Sequence, residues 1–337
     1  MGNSEITEIS VGILGIGTYV PENILTNFDL EKMIDTSNEW ILERTGIRER
    51  RIADKGDATS DLAARAALKA LESAKVSANE IDLIIVATAT PDMLFPSTAC
   101  LVQDIIKAEK APAFDLSAGC TGFVYGLTVG TQFIKTGLYE KVLVIGAETV
   151  SRVLDFTDRN TGILFGDGAG AAVLGKTEPG YGVLGVHLGS DGSGGDLLKQ
   201  PAGGSRLPSN LETIESKLHY LHMNGNEVFK FAVKIMGEAA YSALKNANLE
   251  ASDIACLVPH QANVRIMQSA AKRLKLPMEK VVVNVDKYGN TSAASIPLAL
   301  EEGINDGRIK HGDNIILVGF GTGLTWGACV MKWHEIS

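Results

Sequence analysis

Long hydrophobic runs are missing from this sequence. A membrane-spanning helix needs about 18 or more consecutive apolar residues. The longest apolar runs here, such as Leu83 to Ala87, have only the length of a strand. Residues 1–10 include Glu5 and Glu8 and lack the basic start and apolar block of a secretory signal. We therefore expect neither a membrane-spanning nor a secreted protein, and predict a cytoplasmic location.

Cysteine and nucleotide-binding loops are also scarce. Only four cysteines, Cys100, Cys120, Cys256 and Cys329, are scattered through 337 residues. The sequence therefore predicts neither a CxxC metal site nor a disulfide framework. No GxGxxG segment opens a predicted helix, and no GxxxxGK[ST] segment occurs. We expect no metal and no cofactor of the chain's own.

Positive charge is in deficit. The chain has 31 Lys and Arg against 40 Asp and Glu, a formal net charge of −9. This balance excludes general nucleic-acid binding, which needs a basic surface to neutralise phosphates. Any polyanionic partner would need a local basic patch. Hydrophobic residues make up 45% and charged residues 21%, which is typical of a soluble globular protein with a large core.

Similar segments recur in the same order at nearly one spacing, which indicates an internal duplication. The pairs are residues 67–86 with 240–259 (offset 173), 142–149 with 315–322 (offset 173), and 12–15 with 182–185 (offset 170). We place the boundary near Glu178, which gives an N-terminal half of residues 1–178 and a C-terminal half of residues 179–337.

In each half, segments with helical periodicity precede apolar segments rich in β-branched residues. Predicted helices at 60–75 and 238–248 lead into predicted strands at 81–88 and 254–258, and later strands are predicted at 141–147 and 314–320. Alternating helices and fully apolar strands predict an α/β protein with buried central strands. Two such halves would form a layered α/β sandwich, with ligands bound where the halves meet.

Cys120 is the first candidate for chemistry. It lies in a passage of small residues between a predicted strand at Asp115 and an amphipathic helix that runs towards Lys135. A helix N-terminus favours thiolate over thiol, so we expect a lowered pKa and a nucleophilic sulfur. A cysteine among small residues can equally be an inert buried one.

The duplication adds two partners. Adding the offset of 173 to position 117 gives Asn290, which lies in a second strand-to-helix passage of small residues. His260 follows directly after the predicted strand that ends at Val258. Alone, such a histidine can be structural and such an asparagine a helix cap. Together with Cys120, they predict a catalytic site between the halves.

Three segments carry a resemblance to a known family: Ser-Ala-Gly-Cys120-Thr-Gly-Phe, Val-Pro-His260-Gln-Ala-Asn263-Val-Arg and Tyr-Gly-Asn290-Thr-Ser-Ala-Ala-Ser. They resemble the thiolase superfamily and, within it, β-ketoacyl-acyl-carrier-protein synthase III. The likeness runs from Gly12 to Trp333. It implies a five-layered αβαβα sandwich built from two duplicated halves, a homodimer, and a Cys–His–Asn site.

The resemblance also implies a reaction. Cys120 would take the acyl group of an acyl-CoA. Malonyl carrier protein would then lose CO2, and its enolate would attack the acyl-Cys carbonyl to give a 3-oxoacyl carrier protein and initiate fatty-acid synthesis. His260 and Asn290 would stabilise the enolate by donating hydrogen bonds. The backbone N–H groups of Cys120 and Thr322 would form an oxyanion hole. Thr322 departs from the family's usual glycine, and a glycine-only backbone angle there would be costly.

Further residues follow from the resemblance by motif position. The CoA-binding set is Thr36, Trp40, Arg44, Arg159 and Asn226, in which Trp40 and Arg159 would sandwich the adenine, Arg44 would meet the pyrophosphate, and Thr36 and Asn226 would contact the CoA arm. The carrier-protein docking set is Lys230, Gln261, Arg265, Lys272 and Arg273. Phe95 would reach across the dimer to the acyl pocket.

Three alternatives remain open at this point. A related enzyme of secondary metabolism could use the same cysteine for condensation or for acyl transfer to another nucleophile. A catalytically silent carrier-protein-binding subunit is a second possibility, although the intact Cys120, His260 and Asn290 argue against it. A nucleotide-dependent oxidoreductase is a third, and the absent dinucleotide loop disfavours it.

Overall fold

Two mixed β-sheets carry the fold in this computed structural model, which describes residues 9–334. The strands are Val11–Tyr19 (β1), Ile24–Thr26 (β2), Glu49–Arg51 (β3), Leu83–Ala87 (β4), Ala113–Leu116 (β5), Val142–Glu148 (β6), Gly168–Lys176 (β7), Gly182–Ser190 (β8), Leu198–Lys199 (β9), His222–Met223 (β10), Ile254–Pro259 (β11), Asn314–Gly321 (β12) and Thr325–Lys332 (β13). The expectation that residues 1–10 form no secretory signal rests mainly on residues 1–8, which lie outside the described residues.

Ten α-helices are present in residues 9–334. They are Asn27–Leu30 (α1), Asn38–Thr45 (α2), Thr59–Ala74 (α3), Thr98–Ile105 (α4), Gly122–Lys135 (α5), Leu211–Glu215 (α6), Gly225–Asn246 (α7), Val264–Arg273 (α8), Val285–Tyr288 (α9) and Ser295–Asn305 (α10). None of these helices is long and apolar enough to cross a membrane.

The two sheets repeat one another. The first has the order β1-β7-β6-β4-β5 and the second the order β8-β13-β12-β11 when read from its other edge. In both, the first two neighbouring pairs are antiparallel and the third is parallel. This match confirms the duplication inferred from the sequence. The first sheet ends at Lys176 and the second begins at Gly182, on either side of Glu178.

The helices form three layers around the sheets. Helix α3 covers the outer face of the first sheet, α7 covers the outer face of the second, and α5 and α10 lie between the sheets. Three apolar cores fill the sandwich: one lies between α3 and the first sheet, one between α7 and the second sheet, and a central one between the two sheets draws on both halves of the chain. The predicted five-layered αβαβα sandwich is therefore confirmed.

Burial explains why the central strands form where they do. Every residue of β4 and β6 is buried, as expected for parallel strands covered by helices on both faces. The predicted strands at 81–88 and 141–147 therefore match the structure to within a few residues. The predicted helix at 238–248 covers only the C-terminal part of α7, whose buried face continues towards its N-terminus through Met236, Ala232 and Val228.

Helix α3 lies unusually close to β1. A Cβ atom at Gly17 would overlap the backbone of Lys69 and Ala70, and Gly15 faces Ala74 in the same way. The glycines of the Gly15-Ile-Gly17 segment therefore allow the close packing of the helix backbone against the strand.

Substitution of Gly17 by alanine should destabilise the protein because its methyl group has only backbone to displace. We expect a loss of about 1–3 kcal/mol in the free energy of unfolding, measured by chemical denaturation. Gly56→Ala is the matched control, since a Cβ there meets no atom within 4 Å. Equal stability of the two variants would contradict the close packing.

Candidate active site

Cys120 lies at the centre of the molecule, after the edge strand β5. It occupies a 3₁₀ turn, Gly119–Thr121, that continues directly into α5. Gly119 has a φ of 53°, and a side chain there would overlap Thr322. The strand-to-helix passage predicted around Cys120 is therefore confirmed, and its glycine is required by both conformation and space.

The expected lowering of the Cys120 pKa is wrong for the resting protein. Cys120 is only 6% exposed, and burial raises the pKa of its thiol to about 12. The nearby carboxyl group of Glu148 raises it as well, while the Ser292 hydroxyl and the Cys120 backbone lower it. Desolvation of the charged form outweighs the turn's favourable dipoles, so the resting sulfur is a thiol.

His260 follows β11 and is held on several sides. Its backbone N–H donates to the carbonyl of Val318 at 2.8 Å, and its Nδ1 lies 2.6 Å from Oγ of Ser295. The ring also meets the Phe320 ring edge to face, with 5.6 Å between centroids. His260 is 1% exposed, and burial lowers its pKa to about 3. The imidazole is therefore neutral at physiological pH.

Asn290 lies in the second passage of small residues. Its backbone N–H donates to Leu164 at 2.8 Å, and its carbonyl accepts from Gly166 at 3.1 Å. The side-chain Oδ1 accepts the backbone N–H of Ser292 at 2.9 Å. Because Oδ1 is used in this way, the Nδ2 amino group is the end of the side chain left to act as a donor.

These three predicted residues line one cavity of about 100 Å³, so the structure brings them together. The remaining lining is mainly apolar and includes Leu198, Val228, Phe229, Ile266 and Phe320. Cys120 also lines a second cavity of about 200 Å³, which contains Val150, Val153, Phe165, Leu198, Leu221 and Thr322. The second cavity also has polar lining, including Glu148 and Ser292, so the sulfur lies between two chambers of mixed character.

Sequence reasoning missed two residues at this junction, Glu148 and Ser292. The buried carboxyl group of Glu148 accepts hydrogen bonds from Ala89 N–H, from the hydroxyls of Thr88 and Thr90, and from Ser292 Oγ at 2.9 Å. Burial raises the Glu148 pKa, whereas these donors lower it. A carboxylate at the end of an otherwise apolar strand was the available signal.

Ser292 joins the two halves of the site. It holds a left-handed backbone conformation, with a φ of 49°, which is uncommon for a residue with a side chain and is concentrated at functional sites. Its N–H orients Asn290 and its hydroxyl donates to Glu148. The turn that presents Asn290 is thus fixed by the N-terminal half.

The backbone N–H groups of Cys120 and Thr322, which the resemblance assigns to an oxyanion hole, lie on two segments that approach each other closely. The glycines of these segments show how close the approach is. A Cβ atom at Gly321 would lie 2.5 Å from the backbone nitrogen of Cys120, and one at Gly119 would lie 2.8 Å from that of Thr322. Within residues 9–334, neither Cys120 N–H nor Thr322 N–H donates a hydrogen bond to another protein group. Thr322 is not among the residues with positive φ, so threonine fits here without the strain considered above.

The CoA-binding set clusters on the surface. The Arg159 guanidinium lies 4.7 Å from the Trp40 ring centroid, and that of Arg44 lies 5.5 Å away. Thr36 Oγ1 is shielded from solvent and has no partner in residues 9–334. Asn226 lines a cavity of about 560 Å³ with the two neighbours of Arg159 in sequence. A ring held between Trp40 and Arg159 needs about 7 Å, so the sandwich is not open in this state.

The docking set divides in two. Lys230, Arg265, Lys272 and Arg273 are exposed. Gln261 is not, and its assignment to docking is wrong. Gln261 is 1% exposed. Its side-chain amide donates to two backbone carbonyls and accepts from the backbone N–H groups of Asn284 and Val285. It braces the chain beside His260 instead.

Phe95 lies apart from the site within one chain. It is 84% exposed and lines neither cavity at Cys120. Its role in an acyl pocket across a dimer stays a prediction.

Comparisons with known proteins agree on one family. Residues 114–192 match the model of 3-oxoacyl-[acyl-carrier-protein (ACP)] synthase III, and residues 244–333 match the model of its C-terminal part. The β-ketoacyl-[acyl-carrier-protein] synthase III of Caldanaerobacter subterraneus subsp. tengcongensis is 59% identical over 97% of this chain and 99% of its own. That of Clostridioides difficile is 61% identical over 96% and 98%.

A solved structure gives the same answer. The 3-oxoacyl-[acyl-carrier-protein] synthase III of Aquifex aeolicus superimposes with a TM-score of 0.89 at 47% identity, covering 96% of this chain and 100% of that chain. The chain is thus similar to these proteins along nearly its whole length.

The buried, neutral state of His260 predicts a specific pH dependence of stability. The pKa is about 3 in the folded chain against an ordinary value of 6.5, so the unfolded chain takes up a proton first as the pH falls. The stabilising effect of the neutral imidazole is present above pH 6.5 and is lost towards pH 3. Relative to His260→Asn, the protein should lose about 1.4 kcal/mol per pH unit in this window.

Chemical denaturation of both proteins at several pH values between 7.5 and 4 would measure this. Only the difference in slope matters, so an unequal stability at pH 7.5 does not affect the test. Parallel curves for the two proteins would contradict the buried neutral state.

Proposed function

The chain belongs to the β-ketoacyl-acyl-carrier-protein synthase III family, and from this premise we propose that Cys120, His260 and Asn290 carry out its reaction. As a member of this family, the protein is an acyltransferase-type condensing enzyme of the initiating step of fatty-acid synthesis. The observation that carries the residue assignment is that all three side chains line one cavity.

The first half-reaction transfers the starter acyl group from acyl-CoA to Cys120. The sulfur attacks the thioester carbonyl, the new C–S bond forms, the bond to the CoA sulfur breaks, and the cysteine proton leaves with the CoA thiol. Because burial favours the thiol at rest, the sulfur gives up its proton in the course of this transfer. The backbone N–H groups of Cys120 and Thr322 donate to the negatively charged carbonyl oxygen, and the acyl chain enters the 200 Å³ cavity along Val150, Val153 and Leu221.

The second half-reaction uses malonyl carrier protein. Loss of CO2 breaks a C–C bond and leaves an enolate, so no side chain has to abstract a C–H proton. The enolate carbon attacks the acyl-Cys120 carbonyl, the cysteine sulfur leaves as a thiolate and takes a proton from solvent, and the 3-oxoacyl carrier protein is released. Neutral His260 and the Nδ2 group of Asn290 donate hydrogen bonds to the thioester oxygen as charge develops on it. This route needs no metal and no cofactor beyond the phosphopantetheine arm of the carrier protein.

We place the CoA nucleotide at Thr36, Trp40, Arg44, Arg159 and Asn226. The unpartnered hydroxyl of Thr36 supports this position, because a shielded polar group without a partner is costly unless a ligand satisfies it. The adenine would enter by separating Arg159 from Trp40. The adenine would then replace the present cation–π contact of 4.7 Å between them.

We place the acidic carrier protein at the exposed cations near the cavity mouth. Arg265 lies over Phe229, whose ring lines the cavity, and Lys272 lies two turns further along α8. Neither cation has a carboxylate partner in the described chain, whereas Lys230 pairs with Glu227. Arg265 and Lys272 are therefore the cations available to an acidic surface.

We also propose a homodimer. Leu94 and Phe95 are 75% and 84% exposed, and β5 leaves an unpaired edge on the first sheet. Exposed apolar side chains beside an open strand edge are typical of an interface.

The two half-reactions predict separable variants. Cys120→Ala should form no acyl-enzyme, whereas His260→Ala and Asn290→Ala should still be acylated and should condense about 10²- to 10³-fold more slowly, the usual cost of removing one such donor. Intact-protein mass spectrometry after acyl-CoA and then malonyl carrier protein would measure both steps. Cys100→Ser, which removes the exposed thiol, is the matched control and should behave as the wild type.

Each alternative has its own outcome. Normal condensation by Asn290→Ala would remove that residue from the proposal. An adduct on Cys120 that persists in the presence of malonyl carrier protein would favour acyl transfer to another nucleophile.

Charge reversal tests the docking surface. Arg265→Glu and Lys272→Glu should each raise the KM for malonyl carrier protein several-fold while leaving acylation by acyl-CoA unchanged, because only the protein substrate meets this face. Lys69→Glu makes the same charge change on the exposed side of α3, on the outer face of the other sheet, and as the matched control it should leave both steps unchanged. An unchanged KM in the α8 variants would show that these cations are ordinary solvated surface residues with no role in docking.

A further inference from the structure

The proposed role of His260 requires a proton on one particular ring nitrogen. The imidazole is neutral, so it carries a single N–H, on either Nδ1 or Nε2. Nδ1 faces Ser295, which leaves Nε2 as the nitrogen able to serve the cavity that His260 lines. A hydrogen bond to substrate exists only if the proton is on Nε2.

The surroundings of Ser295 decide where that proton lies. Ser295 is 1% exposed, and its Oγ lies 2.6 Å from His260 Nδ1. The backbone N–H of Gln261 also approaches Oγ, at 3.4 Å. Within residues 9–334, Nδ1 is the only hydrogen-bond acceptor that the Ser295 hydroxyl reaches.

Only one arrangement satisfies these groups. If Nδ1 carried the proton, Oγ would receive two N–H donors and its own buried proton would have no acceptor, which is costly. If the hydroxyl donates to Nδ1, its buried proton has an acceptor, and the single imidazole N–H faces the cavity that His260 lines. The second arrangement places the imidazole proton on Nε2.

We propose that Ser295 is a positioning residue that donates its hydroxyl proton to Nδ1 of His260 and thereby holds His260 as the Nε2–H tautomer. This inference rests on the proposed donor role of His260 in decarboxylation. The edge-to-face contact with Phe320 and the bond from the His260 backbone to Val318 fix the ring from other sides. Ser295 adds the one feature that those contacts lack, which is control of the proton.

The same short segment orients both proposed donors. Ser292 N–H occupies Oδ1 of Asn290, and Ser295 Oγ–H occupies Nδ1 of His260. In each case the acceptor end of the side chain is used inside the protein, and the donor end is left for the cavity. Residues 290–295 therefore supply one proposed donor, Asn290, and orient the other, His260.

The first test measures the tautomer in the unaltered protein. Two-dimensional ¹H–¹⁵N NMR of imidazole nitrogens distinguishes protonated from unprotonated nitrogen, and the loss of signals in His260→Asn assigns them. We expect a protonated Nε2 and an unprotonated Nδ1 at pH 7. A protonated Nδ1 would overturn the proposal without reference to any Ser295 variant.

The second test compares variants. Ser295→Ala should decarboxylate malonyl carrier protein at least 10-fold more slowly and be acylated by acyl-CoA at the wild-type rate, with His260 nitrogen shifts moved towards a mixture of tautomers. Ser295→Thr keeps the hydroxyl and should recover most of the activity. Ser73→Ala removes a hydroxyl from the outer helix α3 and should change neither step.

Two variant outcomes would overturn the proposal: decarboxylation by Ser295→Ala within twofold of the wild type, or an equal loss of acylation and decarboxylation, which indicates a merely structural role. Failure of the proposed function is distinguishable from both. In that case His260→Ala condenses normally, while the tautomer measured in the wild type still shows Nε2–H.

Discussion

The site depends on the close approach of two short turns at the centre of the molecule. Gly119–Thr121 and Ser292–Ala294 occupy equivalent places in the two halves and meet between the sheets. A Cβ atom at Gly122 would lie 2.9 Å from Cβ of Ala87, and one at Gly146 would overlap the backbone of Ala293. Larger residues would force the layers apart, and the small-residue composition of both passages follows from this constraint.

Burial at that meeting point sets the electrostatics. Cys120 and His260 are both in their neutral forms at rest, because desolvation raises one pKa and lowers the other. Burial therefore disfavours a resting thiolate–imidazolium pair. The chemistry has to rely on oriented dipoles, which explains why hydroxyl and amide partners such as Ser295 surround the site.

The two halves contribute different groups to the candidate site. The N-terminal half supplies the sulfur and the carboxyl group of Glu148, and the C-terminal half supplies His260, Asn290 and the serines that orient them. The hydrogen bond from Ser292 to Glu148 connects the residues of the C-terminal half to those of the N-terminal half. A duplicated fold thus carries a site with no internal symmetry, because only the backbone is repeated.

The sequence determined the α/β class and the duplication, and it singled out Cys120, His260 and Asn290, which the structure brings to one cavity. Apolar runs such as Leu83–Ala87 and small-residue passages are local features that survive folding unchanged. Tertiary structure decided what depends on neighbours distant in the chain. Gln261 was placed on a docking surface, yet four backbone groups enclose it. Cys120 was expected to ionise because the turn is visible in the sequence, whereas the burial that opposes ionisation is not. The proton position on His260 is set by Ser295, 35 residues away, since a tautomer follows from a contact and not from a motif.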